Sequence, residues 1–398
     1  MQLQICMYTH SSDGIQIHVE SVESILLIVE ADFCGRKYLR LLYIYPLAFD
    51  KSISSIFTPS FFSRLSRDSK IPDEIKIMAE VNGVIPSYKK SGVIPTIDLE
   101  EVNDQILNQK IRQASEKWGC FTVINHGVSL SLMAEMKKTV RDLHERPHEM
   151  KVRNTDVLLG SGYKPLSELN PFYESFGSFD MASPQAVNNF CDQLDASADQ
   201  REIMLKYAKA TDDLARNLAR RLAESYGVVD QHFLRGWPSH FRMNKYHFKP
   251  EAVGKLGVRL HTDPGFLTIL QGDEDVGGLE AMDNSSGSFF PINTLPNTLL
   301  VNLGDMATIW SNGRLCNVKH RVQCIEAKMR ITTATFLLGP VDRDLEAPDE
   351  FVDAEHPRLY KPISDGGLRK IRLSKHLHAG ESLKFITIKD LNDVPKIN

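Results

Sequence analysis

Hydrophobic periodicity divides the chain into a helical part and, after it, a part made of short strands. Over residues 102–118, apolar positions recur every three or four residues, which predicts a helix that ends at Gly119. Residues 120–124 form a β-rich run, and Asn125 begins a turn signal. A second apolar stripe within residues 207–228 predicts a longer helix that ends at Gly227. Helices are therefore expected to dominate up to about residue 235.

Beyond residue 235 the pattern changes to short β-like runs separated by Gly, Pro, Asn and Asp. Many short strands joined by such turns are typical of a β-sandwich or jelly roll. A final helix is predicted within residues 364–376. The sequence thus predicts an α+β fold in which a helical N-terminal region precedes a jelly-roll core and a C-terminal helix follows it. The six predicted strands span residues 242–248, 257–260, 266–270, 299–303, 318–324 and 330–338.

Composition and charge narrow the class of protein. A chain of 398 residues, 42% hydrophobic and 25% charged, fits a soluble protein with one large domain or two closely fused domains. The net charge of -4 gives no electrostatic reason to expect nucleic acid or an anionic membrane as a partner. Charged residues interrupt the most apolar stretch, residues 25–49, so it is not expected to be a membrane helix. The six cysteines show no CxxC pairing, which indicates reduced thiols in a cytoplasmic protein.

The first ninety residues differ from the rest of the chain. "NGVIPS" at residues 82–87 is nearly repeated as "SGVIPT" at residues 91–96. Either this is chance similarity in a loop, or the functional chain begins near Met78. In both cases we expect residues 1–90 to be an atypical, poorly ordered extension that carries no chemistry. The remaining regions are expected to be a helical domain (91–235), a jelly-roll domain (236–345) and a C-terminal helical segment with a tail (346–398).

One candidate metal site begins with His261 and Asp263, two residues apart in a strand-like run. An Asp two residues after a His occurs roughly one time in sixteen, so with thirteen histidines about one such pair is expected by chance. In a strand, however, residues i and i+2 project from the same face, so both side chains would point together. His320, in "NVKHRV", supplies a third ligand within another strand-like run. Two histidines and one carboxylate form the facial triad of non-haem Fe(II) oxygenases, although Zn(II) or Mn(II) also accepts these ligands. Taken alone, His320 could instead be a hydrogen-bonded histidine of the core.

A candidate carboxylate-binding pair follows in "MRITTATFLL", which places Arg330 and Thr332 on one strand face. An arginine that enters a β core needs an anion, and its planar guanidinium matches a carboxylate with two hydrogen bonds. The hydroxyl of Thr332 could donate to the same carboxylate. The competing interpretation is an internal ion pair between Arg330 and an Asp or Glu.

These segments together resemble the plant 2-oxoglutarate- and Fe(II)-dependent dioxygenases. "HTD", "NVKHRV" and "RIT" occur in the family's order and spacing, with "FRMNKY" before them and "NLGDMATIWSNGRL" between them. "IPTIDL" and "WGCFTVINHGV" resemble the family's N-terminal domain, so the resemblance covers residues 94–388. It implies a double-stranded β-helix core, an oxygenase activity, Fe(II), 2-oxoglutarate and O2 as cofactor and co-substrates, and ascorbate as a supporting reductant.

The resemblance also implies residue roles. His261, Asp263 and His320 would bind iron. Arg330 and Thr332 would hold the distal carboxylate of 2-oxoglutarate, with Thr332 standing where the family usually has serine. Asn244 and Tyr246 match the family's Asn-x-Tyr strand, in which the tyrosine helps to bind the co-substrate, and His247 replaces the proline that commonly follows.

Within the family, "LNPFYESFGSFD" and "DEDVGGLEAMDNSSGSFFP" look most like the dioxygenases for auxin oxidation. This implies oxidation of the small molecule indole-3-acetate to 2-oxindole-3-acetate, with succinate and CO2 released. Arg259, two residues before His261, is a candidate partner for an anionic substrate. The alternatives are a sister dioxygenase for a gibberellin, flavonoid or other specialised metabolite, and a non-catalytic sensor of metal or carboxylate. Aromatic residues that could form a substrate wall, or simply core, are Phe172, Tyr173, Phe176 and Phe179.

Overall fold

The structure, a computed structural model, divides the chain into two compact units, Met1–Lys89 and Lys90–Asn398. It describes residues 94–155, 158, 161–168 and 170–388, together with the backbone of four short strands near the start. These strands form one antiparallel sheet in chain order: β1 (Ile5–His10), β2 (Gly14–Val19), β3 (Val29–Glu30) and β4 (Arg40–Leu41). The predictions of a poorly ordered extension and of a start near Met78 concern mainly residues outside the described ranges, and they stay predictions.

The second unit contains eleven described strands and seven described α-helices. The strands are β5 (Thr96–Asp98), β6 (Cys120–Ile124), β7 (Tyr173–Phe179), β8 (Ser239–Tyr246), β9 (Leu256–His261), β10 (Leu267–Gln271), β11 (Leu279–Met282), β12 (Phe289–Pro291), β13 (Leu299–Leu303), β14 (His320–Gln323) and β15 (Arg330–Leu337). The helices are α1 (Asp104–Lys117), α2 (Leu130–His144), α3 (His148–Lys151), α4 (Pro184–Gln193), α5 (Ala198–Glu224), α6 (Asp305–Trp310) and α7 (Asp365–Ser374).

Two sheets face each other and form the jelly roll. The larger sheet has seven strands in the order β5-β6-β13-β10-β15-β8-β7, and the smaller has four in the order β12-β11-β14-β9. Neighbouring strands are antiparallel except for β5 and β6. The predicted α+β fold with a jelly-roll core is therefore confirmed.

Strand alternation gives the larger sheet two different faces. Phe241 and Met243 of β8 belong to the core shared with the helices, whereas Tyr246 belongs to the core between the two sheets. Helices α2 and α5 pack on the helical side of β15. The opposite face, carrying the even-numbered residues of β8 and β15, is left to form a cavity with the smaller sheet.

The main differences from the predicted elements have local causes. Helix α5 begins at Ala198, well before its apolar stripe, because the Ser197 side chain and the Gln200 side chain cap each other's backbone N–H groups. The region expected to be helical also contributes β7 to the edge of the larger sheet, and the sequence prediction missed β11 and β12. The predicted divisions at residues 235 and 345 fall inside one compact unit, while the one at residue 90 adjoins the boundary between units.

Two further predictions concern thiols and membranes. Cys120, Cys191, Cys316 and Cys324 carry free thiols, and the side chains of the other two cysteines lie outside the part of the chain that the structure describes. Among the helices that the structure describes, none has the length and apolar character needed to cross a membrane.

Candidate active site

The two predicted histidine ligands face each other across a strand pair of the smaller sheet. His261 ends β9, His320 begins β14, and the two residues are register partners with ring centroids 4.1 Å apart. The Nδ1 atom of His261 lies 2.8 Å from the carbonyl oxygen of Arg259, and that of His320 lies 3.1 Å from the carbonyl oxygen of Val318. Because a carbonyl only accepts, each Nδ1 carries the proton, and each Nε2 keeps a lone pair for a metal.

Asp263 completes the group from the turn that follows β9. Its Oδ1 lies 3.7 Å from Nε2 of His261 and 3.8 Å from Nε2 of His320. Its Oδ2 accepts hydrogen bonds from Thr268 Oγ1 at 2.5 Å and Asn302 Nδ2 at 2.7 Å. One carboxylate oxygen is thus held by the larger sheet, while the other is directed at the histidines.

Electrostatics favour the protonation states that a metal requires. Burial, followed by the neighbouring His320, lowers the pKa of His261 to about 4, so its imidazole is neutral near pH 7. Burial pushes the pKa of Asp263 upward, but the two histidines and the donors Thr268 and Asn302 outweigh it and hold that pKa below its ordinary value. The three ligand atoms lie within 4.8 Å of one another. Two imidazoles that direct Nε2 at one point and one ionised carboxylate fit a non-haem Fe(II) ion.

A partly buried ion pair that the sequence analysis missed holds the turn between His261 and Asp263. Arg372 of α7 donates to Asp305 Oδ2 at 2.5 Å and to the carbonyl oxygen of Thr262 at 2.8 Å. The backbone N–H of Asp305 donates to the carbonyl oxygen of Asp263 at 2.8 Å. The sequence feature that could have pointed to this ion pair is the acidic Asp305 inside the apolar run "NLGDMATIW". The C-terminal helix therefore braces the metal ligands from outside the cavity.

Arg330 is a buried cation on the opposite wall. Its side chain is only 1% exposed, its Nε donates to the carbonyl oxygen of Val276 at 3.2 Å, and its guanidinium carbon lies 4.8 Å from the Tyr246 ring centroid. Within the described ranges, no Asp or Glu forms a salt bridge with it. The internal ion pair considered as an alternative is thus not found there. A buried guanidinium without a carboxylate partner fits an anionic ligand that enters from outside.

Polar side chains beside Arg330 form a connected set on the larger sheet. In the register of β8 and β15, Tyr246 is opposite Arg330 and Asn244 is opposite Thr332. Asn244 Nδ2 donates to Thr332 Oγ1 at 3.0 Å, and its Oδ1 accepts from the Tyr173 hydroxyl at 2.9 Å. Burial raises the pKa of Tyr246 to about 12, so its hydroxyl remains a donor. This arrangement fits the two oxygens of a carboxylate next to Arg330.

One cavity of about 100 Å³ brings these groups together between the two sheets. The smaller sheet and the turn after it contribute His261, Asp263 and His320, and the larger sheet contributes Arg330 and Thr332. Asn244, Tyr246 and Tyr173 also line it. A metal site and a carboxylate site therefore share one cavity.

The structure does not bring the other candidate substrate residues to this cavity. Phe176 projects to the helical side, where it packs against His144 and Phe190, with ring centroids 4.5 Å and 6.1 Å away. Phe172 and Phe179 are not among the lining residues either, so Tyr173 is the one member of the proposed aromatic wall that reaches it.

Arg259 also lies away from the cavity. An irregular register between β9 and β14 brings Val258 and His261 to the wall, three residues apart, and leaves Arg259 exposed. The simple alternation that put Arg259 on the face of His261 does not hold through this irregularity.

Comparison with known proteins agrees with this geometry. Residues 237–339 match the family model of the 2OG-Fe(II) oxygenase superfamily, and residues 94–200 match the N-terminal model described as non-haem dioxygenase in morphine synthesis. A rice protein (Oryza sativa subsp. indica) named 2-oxoglutarate-dependent dioxygenase DAO is 47% identical over 274 residues, which are 69% of this chain and 91% of the relative.

Two solved structures show the same relationship. The dioxygenase for auxin oxidation 1 from Arabidopsis thaliana, in a binary complex with 2-oxoglutarate, aligns with a TM-score of 0.66 and 77% identity, covering 67% of this chain and 100% of that one. The rice dioxygenase for auxin oxidation aligns with a TM-score of 0.69 and 44% identity, covering 74% of this chain and 100% of that one.

Proposed function

The chain belongs to the 2OG-Fe(II) oxygenase superfamily, and we propose that within it the protein oxidises indole-3-acetate to 2-oxindole-3-acetate. It is an oxygenase that uses Fe(II), 2-oxoglutarate and O2. The proposed reaction consumes one 2-oxoglutarate and one O2 for each indole-3-acetate and releases one succinate and one CO2. The observation that carries the proposal is one cavity lined by a 2-His-1-carboxylate set and by a buried arginine that has no carboxylate partner among the described residues, in a chain similar to proteins named for auxin oxidation.

The proposed division of labour follows the two walls of the cavity. His261, Asp263 and His320 would hold the iron, through the two Nε2 atoms and the Oδ1 that face one another. Arg330 and Thr332 hold the distal carboxylate of 2-oxoglutarate. Asn244 and Tyr246 orient those two residues through the hydrogen bond to Thr332 and the ring contact with Arg330.

Iron bound there, with 2-oxoglutarate and O2, supplies the oxidising chemistry, in which 2-oxoglutarate loses CO2 and one oxygen atom enters the substrate. The protein's own contribution is binding, orientation and exclusion of water. Thr268 and Asn302 fix which oxygen of Asp263 faces the metal, and the carbonyl groups of Arg259 and Val318 fix the imidazole tautomers. These groups are already hydrogen bonded, so binding requires little reorganisation of the protein.

We also propose that the enzyme works in the cytosol. The four described cysteines carry free thiols, as expected in a reducing compartment. Burial raises the pKa of Cys120 to about 12 and that of Cys191 to about 11, so both thiols stay protonated and unreactive.

The proposal is tested by aerobic turnover of indole-3-acetate with Fe(II), 2-oxoglutarate and ascorbate, followed by mass spectrometry. We expect one succinate for each 2-oxindole-3-acetate. With 18O-labelled O2, one label should appear in succinate and the other largely in the oxindole carbonyl, apart from exchange with water.

Three outcomes separate the alternatives. Succinate release that does not respond to indole-3-acetate, with no oxindole formed, would overturn the auxin assignment and leave the oxygenase class standing. Coupled turnover of a gibberellin or flavonoid instead would identify a sister dioxygenase. Binding of metal and 2-oxoglutarate without O2 consumption would identify a sensor.

A further inference from the structure

Tyr173, the first residue of the edge strand β7, joins the cavity wall that carries Arg330. In the register of β7 and β8 it is opposite Tyr246, and the two ring centroids are 5.2 Å apart. Its hydroxyl donates to Asn244 Oδ1 at 2.9 Å. Among the residues that line the cavity, Tyr173 is the one that β7 contributes. A side chain from outside the paired strands β8 and β15 therefore reaches the carboxylate site.

The hydrogen bonds that start at Tyr173 all run in one direction, toward Thr332. The Tyr173 hydroxyl donates to Asn244 Oδ1, and Asn244 Nδ2 donates to Thr332 Oγ1 at 3.0 Å. Asn244 is 7% exposed and Thr332 is 2% exposed, so water competes little for these groups. Because Thr332 Oγ1 already accepts from the amide, the proton of the Thr332 hydroxyl is left for another acceptor, such as a carboxylate beside Arg330.

The opposite orientation of the Asn244 amide would reverse this arrangement. With Oδ1 and Nδ2 exchanged, Oδ1 would face Thr332 and accept the hydroxyl proton. A carboxylate would then meet an oxygen lone pair of Thr332 instead of a donor. Tyr173 favours the observed orientation, because only there does its phenolic proton have the amide oxygen as acceptor.

Contacts around the start of β7 hold Tyr173 in place. Glu174, the next residue, is 1% exposed and accepts from Lys151 Nζ and from His247 Nε2, each at 2.8 Å. The backbone N–H of His247 donates to the carbonyl oxygen of Phe172 at 2.8 Å. His247 stands where the family commonly has proline, which has no N–H and no side-chain donor, so proline could make neither contact. The residue after the Asn-x-Tyr strand thus fixes the strand that carries Tyr173.

We propose that Tyr173 is a positioning residue for the co-substrate: through the Asn244 amide it keeps the Thr332 hydroxyl directed at the distal carboxylate of 2-oxoglutarate. The inference rests on the proposed co-substrate site and extends it to a residue of the edge strand. It assigns the Tyr173 hydroxyl to the co-substrate and not to the substrate.

The test compares 2-oxoglutarate with 2-oxopentanoate, which has the same carbon chain but a methyl group in place of the distal carboxylate. Dissociation constants are measured without O2, in the presence of Fe(II), for the wild type, Tyr173→Phe and Tyr226→Phe. Tyr226→Phe is the matched control, since its hydroxyl donates to Glu116 Oε1 at 2.6 Å and does not line the cavity. Tyr173→Phe keeps the ring and its contact with Tyr246, so the fold should persist in thermal unfolding.

We expect Tyr173→Phe to bind 2-oxoglutarate about threefold to tenfold more weakly, the range of one net hydrogen bond. Its affinity for 2-oxopentanoate should change less than about twofold, because that acid has no distal carboxylate for Thr332 to bind. The KM for 2-oxoglutarate should rise in parallel, with kcat at saturation nearly unchanged. Tyr226→Phe should match the wild type for both acids.

A double-mutant cycle tests whether Tyr173 acts through the amide. In an Asn244→Ala background, Tyr173→Phe should cause no further loss of affinity for 2-oxoglutarate, because the chain of hydrogen bonds is already broken. The same loss in both backgrounds would overturn the proposal, as would an unchanged affinity in Tyr173→Phe or an equal loss for the two oxo acids. Weaker binding of indole-3-acetate alone would return Tyr173 to the substrate wall.

Failure of the proposed co-substrate site is recognised from Arg330→Gln in the same assay. If this variant loses the preference for 2-oxoglutarate over 2-oxopentanoate, the distal carboxylate lies beside Arg330, and an unchanged Tyr173→Phe would overturn the inference alone. If Arg330→Gln keeps the preference, the carboxylate lies elsewhere, and the site and the inference fall together. Neither measurement depends on whether indole-3-acetate is the substrate.

Discussion

The two walls of the cavity achieve their geometry in different ways. The larger sheet presents Asn244, Tyr246, Arg330 and Thr332 from two strands whose register is unbroken from one end to the other. The smaller sheet presents its metal ligands at a strand end, at a strand start and in a turn, and its register slips beside them, between His320 and Val322. The first wall is regular, and the second departs from strand geometry where the metal ligands lie.

This difference follows from the chemistry of each wall. A carboxylate needs donors spaced along a line, which alternate residues of two paired strands provide. A facial triad needs three atoms converging on one point, which a flat strand cannot supply from adjacent positions. The bulge beside His261 and the turn at Asp263 give that convergence, and the ion pair between Arg372 and Asp305 stabilises it from behind. The regular strand pair thus suits binding of the co-substrate, and the irregular strand pair suits binding of the metal.

Removing one metal ligand from the irregular wall should cause the largest loss of activity. In His320→Ala, two protein ligands remain, so we expect activity to fall by more than the roughly hundredfold that loss of an outer hydrogen-bond partner can cost. The fold should persist, because the larger sheet and its helices do not involve His320. The measurements are turnover and bound iron, together with thermal unfolding. Near-normal turnover in this variant would show that the triad is assigned to the wrong residues.

The sequence alone could predict most of the regular wall and less of the irregular one. Alternation placed Arg330 with Thr332, and the family resemblance supplied Asn244 with Tyr246. The structure keeps each pair on one face because the register of β8 and β15 is uninterrupted. The same rule failed for Arg259, since a bulge cannot be recognised from alternation. Phe176 was misplaced for another reason. Its segment was expected in a helical region, but it forms the edge strand β7, which directs the Phe176 ring into the core shared with the helices. Arg372 and Asp305 could not be paired from sequence, because a contact between distant residues leaves no local signal.

A change on the regular wall should have a smaller and more specific effect. Arg330→Lys keeps the positive charge but loses the planar fork, so the 2-oxoglutarate requirement should rise by about tenfold to one hundredfold. Iron binding should be unchanged, because Arg330 lies on the opposite wall from the ligands. The measurement is the KM for 2-oxoglutarate beside the iron content of the purified variant. An unaltered KM would move the carboxylate anchor to another cation, with Arg242 as the next one on the same wall.

The smallest change in kinetics should follow substitution of Arg259, the residue that the bulge turns outward. The side chain of Arg259 is exposed, and its contact with the site is the backbone carbonyl that accepts from His261 Nδ1. Arg259→Gln keeps that carbonyl, so we expect kcat and the KM values for indole-3-acetate and 2-oxoglutarate to change less than about twofold, as is usual for surface substitutions. If Arg259→Gln raised the KM for indole-3-acetate, the substrate carboxylate would lie on the smaller sheet, and the bulge beside His261 would have to straighten when substrate binds.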